Sequence, residues 1–336
     1  MSAALYSLES SASATGPHIK PVAPQDMYQV RVESIRFGTY DTNLYELRPL
    51  DGAVLPPARP GAHIAVHLSA KLLRHYSLLN AADKPGSYLI GVKRDAQSRG
   101  GSSYIHEKLR VGDVLTIEKP RNNFPLAQDA EHTLLLAGGI GITPMLCMWR
   151  ELKRLGRDVQ LIYSCRSRKD ALFLNILEGK SGVTIRFDDE HGGHLELSPL
   201  LQGVPRDAHL YCCGPLPMLQ SFERLTAAWP PAQVHVEYFS AAREQVKQGG
   251  FTVKLARTGI SIPVTAGQSI LEALRERGID TPSSCEQGIC GSCETKVLAG
   301  TPDHRDALLS ADEKSANNRM MICCSGSKSP ELVLDL

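Results

Sequence analysis

The sequence predicts a multidomain protein with an antiparallel β-barrel, then an α/β domain built on a parallel sheet, then a smaller α+β domain. Three observations support this order. Residues 27–128 consist of short, alternating apolar runs separated by turns, whereas residues 129–240 combine continuous apolar runs with helical stretches. Alternation returns after residue 250, together with one helical stretch. A chain of 336 residues is long enough for two or three such domains.

The first 26 residues are expected to form a flexible arm. They are rich in Ser, Ala and Pro, and they lack the basic region and continuous apolar region of a secretory signal. No window of the chain approaches the about 18 apolar residues that a membrane-spanning helix needs. Nine cysteines at irregular spacing are unlike a secreted disulfide framework. We therefore expect a soluble, cytoplasmic protein.

The charge balance limits the classes of partner. Lys plus Arg number 37 against 36 Asp plus Glu, which leaves a formal charge of +1. No basic stripe dominates, and this argues against a general nucleic-acid-binding protein. The expected partners are small molecules or a specific protein.

Residues 27–128 alternate as strands with one buried face do. Val30 and Val32 lie two positions apart, as do Ile64, Val66 and Leu68. Several strands of this kind at even spacing favour a small antiparallel barrel.

Residues 129–240 have a different pattern of apolar residues. The apolar run "HTLLLAGG" ends in glycines and is followed by an amphipathic stretch over 144–155, which predicts a strand, a loop and a helix. Thr143 is expected to cap this helix, and Pro144 suits its first turn. Similar runs recur at "VQLIYSC", "VTIRFDD" and "HLYCCGP", so a parallel sheet of βα units is predicted. Residues 241–250 show no apolar periodicity and are interpreted as a linker.

Three cysteines are crowded into the stretch "SSCEQGICGSCETKV" of the last region, and a fourth follows 29 residues later. This spacing is typical of a plant-type 2Fe-2S cluster. Gly288 and Gly291 permit the tight turns that bring the thiolates together. The predicted iron ligands are Cys285, Cys290, Cys293 and Cys323.

Two alternatives remain at this point. Zinc would use Cys290 and Cys293 as one pair, but a second pair is missing, because Cys323 and Cys324 are adjacent and poorly placed to act as one. Cys324 could also replace Cys323 as the fourth cluster ligand, although the 29-residue spacing favours Cys323.

With these cysteines and the segment "MMICCSGS", residues 251–336 resemble a plant-type ferredoxin. The resemblance implies a β-grasp α+β fold and a one-electron carrier. A 2Fe-2S cluster cannot accept a hydride, whereas a flavin accepts an electron pair and releases the electrons singly, so a flavin site is expected upstream.

The segments "RHYS" and "GVKRDAQSRGGSS" carry suitable groups for a flavin. Together they supply cations and amide donors for a phosphate, an aromatic ring and a hydroxyl group. They resemble the flavin site of the ferredoxin-reductase superfamily, with Ser77 beside the reactive nitrogen. Phe239 is a candidate to shield the ring. The predicted flavin-binding residues are Arg74, His75, Tyr76, Ser77, Val92, Lys93, Arg99, Gly100, Gly101, Ser102, Ser103 and Phe239.

A pyridine-nucleotide site is predicted where "AGGIGITPML" joins a strand to a helix. The motif lacks the third glycine of the dinucleotide fingerprint, and an ordinary tight turn is the alternative. "YCCGPLPM" resembles the nicotinamide site of the same superfamily, where Cys213 would be a packing residue that orients the ring rather than a nucleophile. The predicted nucleotide-binding residues are Gly138, Gly139, Gly141, Thr143, Pro144, Arg166, Cys213, Gly214 and Pro215.

The order of the three regions resembles the phthalate dioxygenase reductase and vanillate demethylase reductase family over residues 27–336. That resemblance implies FMN rather than FAD, NADH as electron donor, and a Rieske-type oxygenase acting on aromatic acids as electron acceptor. Arg166 and Arg168 could contact either a ribose diol or a 2′-phosphate, and Asp170 is the only acid near them.

Other acceptors and a different class of function stay open. The acceptor could be a cytochrome P450 or another haem protein, and the chain could be a non-catalytic iron–sulfur redox sensor. A monomer is expected. The HGGH segment, residues 191–194, is interpreted as a surface loop rather than a zinc site. Cys147 and Cys165 are interpreted as buried apolar residues.

Overall fold

The computed structural model describes residues 26–336 except 51, 70–71, 84, 97, 99, 240–249, 284–285, 287, 290 and 310. The predicted arm up to residue 25 and the predicted linker over 241–249 lie outside the described residues. Arg99, Cys285 and Cys290 do so as well. The described residues form three larger sheets, one antiparallel, one parallel and one mixed, and a separate two-stranded antiparallel sheet, which confirms the predicted order of fold classes along the chain.

Six strands and one helix form the N-terminal region. Their bounds are β1 Met27–Thr39, β2 Thr42–Pro49, β3 His63–Ser69, β4 Leu72–Ser77, β5 Tyr88–Lys93, α1 Gly101–Glu107 and β6 Val114–Glu118. The strands pair antiparallel in the order β4-β3-β6-β1-β2-β5. This ladder is open between β4 and β5, where an isolated bridge joins Leu78 to Ile90. The alternating side chains Val30, Val32 and Ile64 are buried, as their spacing predicts.

The middle region is a five-stranded parallel sheet with helices between the strands. Its elements are β7 His132–Gly138, α2 Ile142–Arg154, β8 Asp158–Cys165, α3 Leu174–Leu177, β9 Val183–Phe187, α4 Asp188–His191, α5 Ser198–Gln202, β10 His209–Cys213, α6 Leu216–Thr226 and β11 Val234–Glu237. The strand order is β11-β10-β7-β8-β9. Apolar clusters cover both faces of the sheet, so its strands are buried on both sides.

The capping prediction for Thr143 is wrong. The α2 helix begins at Ile142 and its N-cap residue is Gly141, so Thr143 already lies inside the first turn. Its hydroxyl donates a hydrogen bond of 2.9 Å to the carbonyl oxygen of Ile140 instead of accepting one from the helix. Pro144 does lie in the first turn, where its missing N–H costs no helical hydrogen bond.

The C-terminal region combines a mixed sheet with two short helices. Its elements are β12 Phe251–Leu255, β13 Ser261–Val264, α7 Ile270–Glu276, β14 Glu294–Ala299, β15 Pro302–Asp303, α8 Ala311–Ala316, β16 Arg319–Met321, β17 Gly326–Ser327 and β18 Glu331–Leu334. The main sheet has the order β13-β12-β18-β14-β16, with β12 and β18 parallel. A capping box between Ser269 and Glu272 begins α7. Across all described residues, the helices are too short or too polar to cross a membrane.

Candidate functional site

A cavity of 1080 Å³ lies where side chains of the three regions meet. Tyr76 and Ser77 reach it from the end of β4, and Thr143 from the start of α2. Ala307 and Leu308, in the segment between β15 and α8, line it from the C-terminal region. A cavity of this size is large enough for a cofactor, and every predicted redox region contributes to its wall.

Ten of the predicted site residues line this cavity. They are Arg74, His75, Tyr76, Ser77, Lys93, Ser102, Ser103, Thr143, Arg166 and Phe239. Other predicted residues lie in the same two regions but not on the lining: Val92, Gly100, Gly101, Gly138, Gly139, Gly141, Pro144, Cys213, Gly214 and Pro215.

One end of the cavity carries groups suited to a phosphate. Arg74 and Lys93 supply positive charge, and Lys93 Nζ lies 3.3 Å from the carboxylate of Asp41. A Cβ atom at Gly101 would lie 2.5 Å from Arg74 Nε, so only glycine leaves room for this arginine. The Ser102 hydroxyl donates to Ser98 Oγ at 3.0 Å, which places two hydroxyls on the same wall. Cations and hydroxyl donors of this kind hold the phosphate of an FMN.

Other residues that line the cavity combine aromatic rings with a buried hydroxyl. Burial raises the pKa of the Tyr76 hydroxyl well above its usual value, so the phenol is neutral. Ser77 is buried and pairs with His63 of β3, whose ring packs edge-on against His75 at 5.3 Å. An aromatic ring beside a buried hydroxyl fits the ring system of a flavin, as the sequence predicts.

Gly138 and Gly141 of the β7–α2 turn are required for packing within the protein, whereas the predicted nucleotide site would require glycines for the approach of a pyrophosphate. A Cβ atom at Gly141 would lie 2.2 Å from the carbonyl oxygen of Cys213, and one at Gly138 would lie 2.5 Å from Pro215 Cδ. Both glycines therefore let this turn pack against the end of β10. Gly139 has a positive φ of 52° and open space around it, so it alone offers the close approach that a pyrophosphate needs.

Cys213 is fully buried at the end of β10. Burial raises the pKa of its thiol well above the usual value, so the group is neutral and not a nucleophile. Cys147 and Cys165 are buried as well, in agreement with their interpretation as apolar residues. The HGGH segment is exposed, and His194 Nδ1 lies 2.8 Å from a carboxylate oxygen of Asp188.

Glu237 is a site residue that sequence reasoning did not identify. It ends β11 opposite Cys213 and lines the cavity, and its Oε2 atom is shielded from solvent without a hydrogen-bond partner among the described residues. Burial raises the pKa of this carboxyl to about 8, so it is protonated at neutral pH. The sequence signal was its position at the end of an apolar strand, in the segment "EYFS".

The wall on the side of the cysteine loop also escaped prediction. Asp306 has a fully buried side chain, and its Oδ2 accepts hydrogen bonds from the backbone N–H groups of Leu308 and Leu309, at 3.3 and 2.8 Å. Ala307 N–H donates to the carbonyl oxygen of Gly288 at 3.1 Å. Asp306 thus fixes a segment that contacts both the cavity and the cysteine loop.

The described part of the cysteine loop fits an iron–sulfur cluster. Cys293 and Cys323 are both buried. Gly288 and Gly291 have φ values of 70° and 77°, in the left-handed region that glycine favours. A Cβ atom at Gly288 would lie 2.4 Å from Cys324 Sγ, so the absence of a side chain at Gly288 leaves room for Cys324. Buried thiols around a glycine-built turn match the donor chemistry of a 2Fe-2S cluster.

Comparisons with known proteins agree with these features. Residues 253–327 match the family model of the 2Fe-2S iron–sulfur cluster binding domain. The chain is 47% identical to the phenoxybenzoate dioxygenase subunit beta of Ectopseudomonas oleovorans, over 91% of this chain and 97% of that protein. It is 41% identical to a vanillate O-demethylase oxidoreductase of Pseudomonas sp. strain HR199, over 92% of this chain and all (100%) of that protein.

Two solved structures show the same architecture. One is phthalate dioxygenase reductase, described as a modular structure for electron transfer from pyridine nucleotides to [2Fe-2S], with a TM-score of 0.72 and 38% identity over 93% of this chain and 98% of that one. The other is an intact type IV self-sufficient cytochrome P450 monooxygenase, with a TM-score of 0.80 and 38% identity. The match covers 92% of this chain but 41% of that longer one.

Proposed function

Since the chain belongs to the phthalate dioxygenase reductase and vanillate O-demethylase oxidoreductase family, we propose that it is the NADH-dependent reductase component of a Rieske-type aromatic oxygenase or demethylase system. Electrons would pass from NADH to FMN, then to the 2Fe-2S cluster, and then to the oxygenase. The observation that carries this proposal is the single cavity to which flavin, nucleotide and cysteine-loop regions all contribute lining residues.

FMN, when bound, accepts an electron pair and releases electrons one at a time, which the cluster alone cannot do. We assign Arg74 and Lys93 to its phosphate, and Tyr76 and Ser77 to its ring. Phe239 is half-exposed at the cavity and is assigned to shield that ring. Four cysteines, Cys285, Cys290, Cys293 and Cys323, are assigned to the cluster.

On the nucleotide side, we assign Gly139 to the pyrophosphate and Cys213 to the position of the nicotinamide. Hydride transfer demands a fixed distance and angle between donor and acceptor, and the buried Cys213 thiol supplies a rigid surface for this. Glu237 holds a proton on its carboxyl at neutral pH. Reduction by hydride also consumes a proton, and Glu237 is the neutral buried acid beside the cavity.

The electron acceptor follows from redox chemistry and from the relatives. Plant-type clusters have potentials near about −400 mV, whereas Rieske centres lie higher, so electrons flow from this chain to a Rieske centre. A haem protein is the second candidate, because the self-sufficient P450 structure contains the same arrangement of regions. We also propose that the protein acts in the cytoplasm as a monomer, with the domains divided at residues 27–128, 129–240 and 251–336.

The test is electron transfer by the purified full chain. Protein with bound flavin and about two irons per chain should reduce ferricyanide and cytochrome c with NADH, and should support turnover of an aromatic substrate by a Rieske oxygenase. Reduction of a P450 without reduction of the oxygenase would favour the haem acceptor. A fully loaded protein that shows no steady NADH oxidation would contradict the enzyme and favour a redox sensor.

A further inference from the structure

Two arginines follow β8, at the edge of the sheet where parallel dinucleotide-binding domains place the adenosine ribose. From the sequence, Arg166 and Arg168 could each contact either a ribose diol or a 2′-phosphate. In the structure, the two arginines have different surroundings. Arg166 lines the cavity, and none of the carboxylates in the described ranges forms an ion pair with it. Arg168 does not line the cavity.

Arg168 is held by three groups from three different elements. Its Nη1 donates to Glu178 Oε1 at 2.8 Å, at the C-terminal end of α3. Its Nε lies 3.9 Å from Glu190 Oε1 in α4. Its guanidinium carbon lies 4.8 Å from the ring centre of Phe187, the last residue of β9. The hydrogen bond to Glu178 and the negative charge of its carboxylate raise the pKa of Arg168.

The surroundings of Arg168 are acidic. Residues 166–170, 178 and 188–190 together carry five carboxylates and three basic side chains, and one of these carboxylates, that of Asp188, is paired with Arg186. Asp170 accepts a hydrogen bond from the Ser167 hydroxyl, and its negative charge raises the pKa of the nearby Tyr40 hydroxyl, so its carboxylate lies beside hydroxyl groups. A ribose diol is another pair of hydroxyl donors and suits such a carboxylate. A 2′-phosphate would bring negative charge against Asp170, Glu178 and Glu190, and Arg168, one of the two arginines that could offset it, is already paired.

We propose that Glu178 and Glu190 are positioning residues that select NADH over NADPH, because they hold Arg168 away from the position of a 2′-phosphate. This inference rests on the function proposed above and deepens it. Sequence motifs do not reveal it, because Glu178 and Glu190 come from segments that follow different strands and meet Arg168 only in the fold.

The test is the double variant Glu178→Gln, Glu190→Gln in the full-length, cofactor-loaded protein. Isothermal titration with adenosine 2′,5′-bisphosphate and with AMP measures the adenosine site without turnover, and steady-state kinetics compare NADPH with NADH. Exposed ion pairs change affinity by a few-fold, so we expect bisphosphate affinity and kcat/KM for NADPH to rise about five-fold, with AMP and NADH within about two-fold. Absence of that rise overturns the inference.

Arg168→Ala distinguishes two possible causes of a gain in bisphosphate affinity. One is the release of Arg168, and the other is the removal of negative charge. In the wild-type background Arg168→Ala should leave bisphosphate affinity unchanged, and in the double variant it should abolish the gain. A gain that persists without Arg168 overturns the inference in favour of charge repulsion alone. Glu151→Gln is the matched control. It breaks the 2.8 Å ion pair between Glu151 and Arg154 in the C-terminal part of α2, and it should change the affinity for neither nucleotide.

Failure of the proposed function gives a different result. If neither nucleotide bleaches the flavin, the function is contradicted, while the bisphosphate titration still reports on Glu178 and Glu190. If NADH bleaches the flavin and the double variant gains no bisphosphate affinity, the function stands and only the selectivity inference is lost.

Discussion

The β7–α2 turn and the cysteine loop both depend on glycine, but they are stabilised in different ways. In the turn, Gly141 packs against the backbone carbonyl of Cys213, and two parallel strands fix both partners. In the loop, Gly288 packs against the side chain of Cys324, and the described residues from 284 to 293 contain no strand or helix. The turn is therefore held in place by the sheet, whereas we expect the loop to gain much of its stability from its ligand.

Removal of a proposed cluster ligand should have the largest effect. It should abolish cluster binding without affecting the β7–α2 turn. Cys323→Ser should lose the visible absorbance of the cluster and about two irons per chain. Flavin bleaching by NADH should persist, because the nucleotide side is built independently. Iron analysis and stopped-flow absorbance measure both properties.

Cys324→Ser is the matched control for that experiment. Cys324 is adjacent in sequence, packs against Gly288 and is not one of the four proposed ligands, so this variant should keep its iron. Iron loss in Cys324→Ser, with iron retained in Cys323→Ser, would assign the fourth ligand to Cys324.

Gly141→Ala tests the turn. Its new Cβ atom would lie 2.2 Å from a backbone oxygen that the sheet holds in place, so we expect a loss of about 3 kcal/mol in the free energy of unfolding. Gly139→Ala meets no neighbouring atom and should cost only the left-handed backbone strain of about 1 kcal/mol. Urea unfolding followed by circular dichroism measures the free energy of unfolding of both variants. Equal losses would contradict the conclusion that the sheet holds the turn in place.

Asp306→Ala tests the segment that links the loop to the cavity. It leaves two buried backbone N–H groups without their acceptor, at a cost of about 2 kcal/mol. Asp306→Asn keeps an acceptor oxygen and should recover most of that loss. Asp312→Ala removes an exposed acid of the same region and serves as control. Thermal unfolding of the C-terminal region is the measurement.

Glu237→Gln should leave the site intact and change only the pH dependence of stability. The folded protein holds the Glu237 proton up to about pH 8, while the unfolded chain releases it near 4.5. Within that window the native state binds more protons, so stability falls as pH rises, by about 1.4 kcal/mol per pH unit at most. The variant should lose this contribution. The free energies of unfolding of both proteins, measured between about pH 4.5 and pH 8, test this prediction. An equal dependence on pH in the two proteins would contradict a buried, protonated Glu237.

The sequence predicts the three sheets well because local patterns determine them. Alternation places Val30 and Val32 in one core, and continuous runs such as "HTLLLAGG" become strands buried on both faces. The cysteine spacing is similarly local. Ten of the predicted binding residues reach one cavity, because each belongs to a short motif at the end of a strand.

What the sequence does not predict depends on contacts between distant segments. Glu237 looks like an ordinary end of a strand until its register against Cys213 removes it from solvent. Asp306 acquires its role only when its segment folds onto the residues around Gly288. Thr143 fails as a helix cap because the residues Gly139–Gly141 form a 3-10 turn and the helix begins two residues earlier than predicted, at Ile142.

The position of β18 has a consequence for how the C-terminal region is made. This strand lies in the middle of its sheet, between β12 and β14, although it is synthesised after all four proposed iron ligands. A growing chain therefore exposes its thiols before the sheet that orients them can close. We therefore expect the site to be completed only when β18 has been added, which would make assembly of the cluster a late event in the biogenesis of the protein.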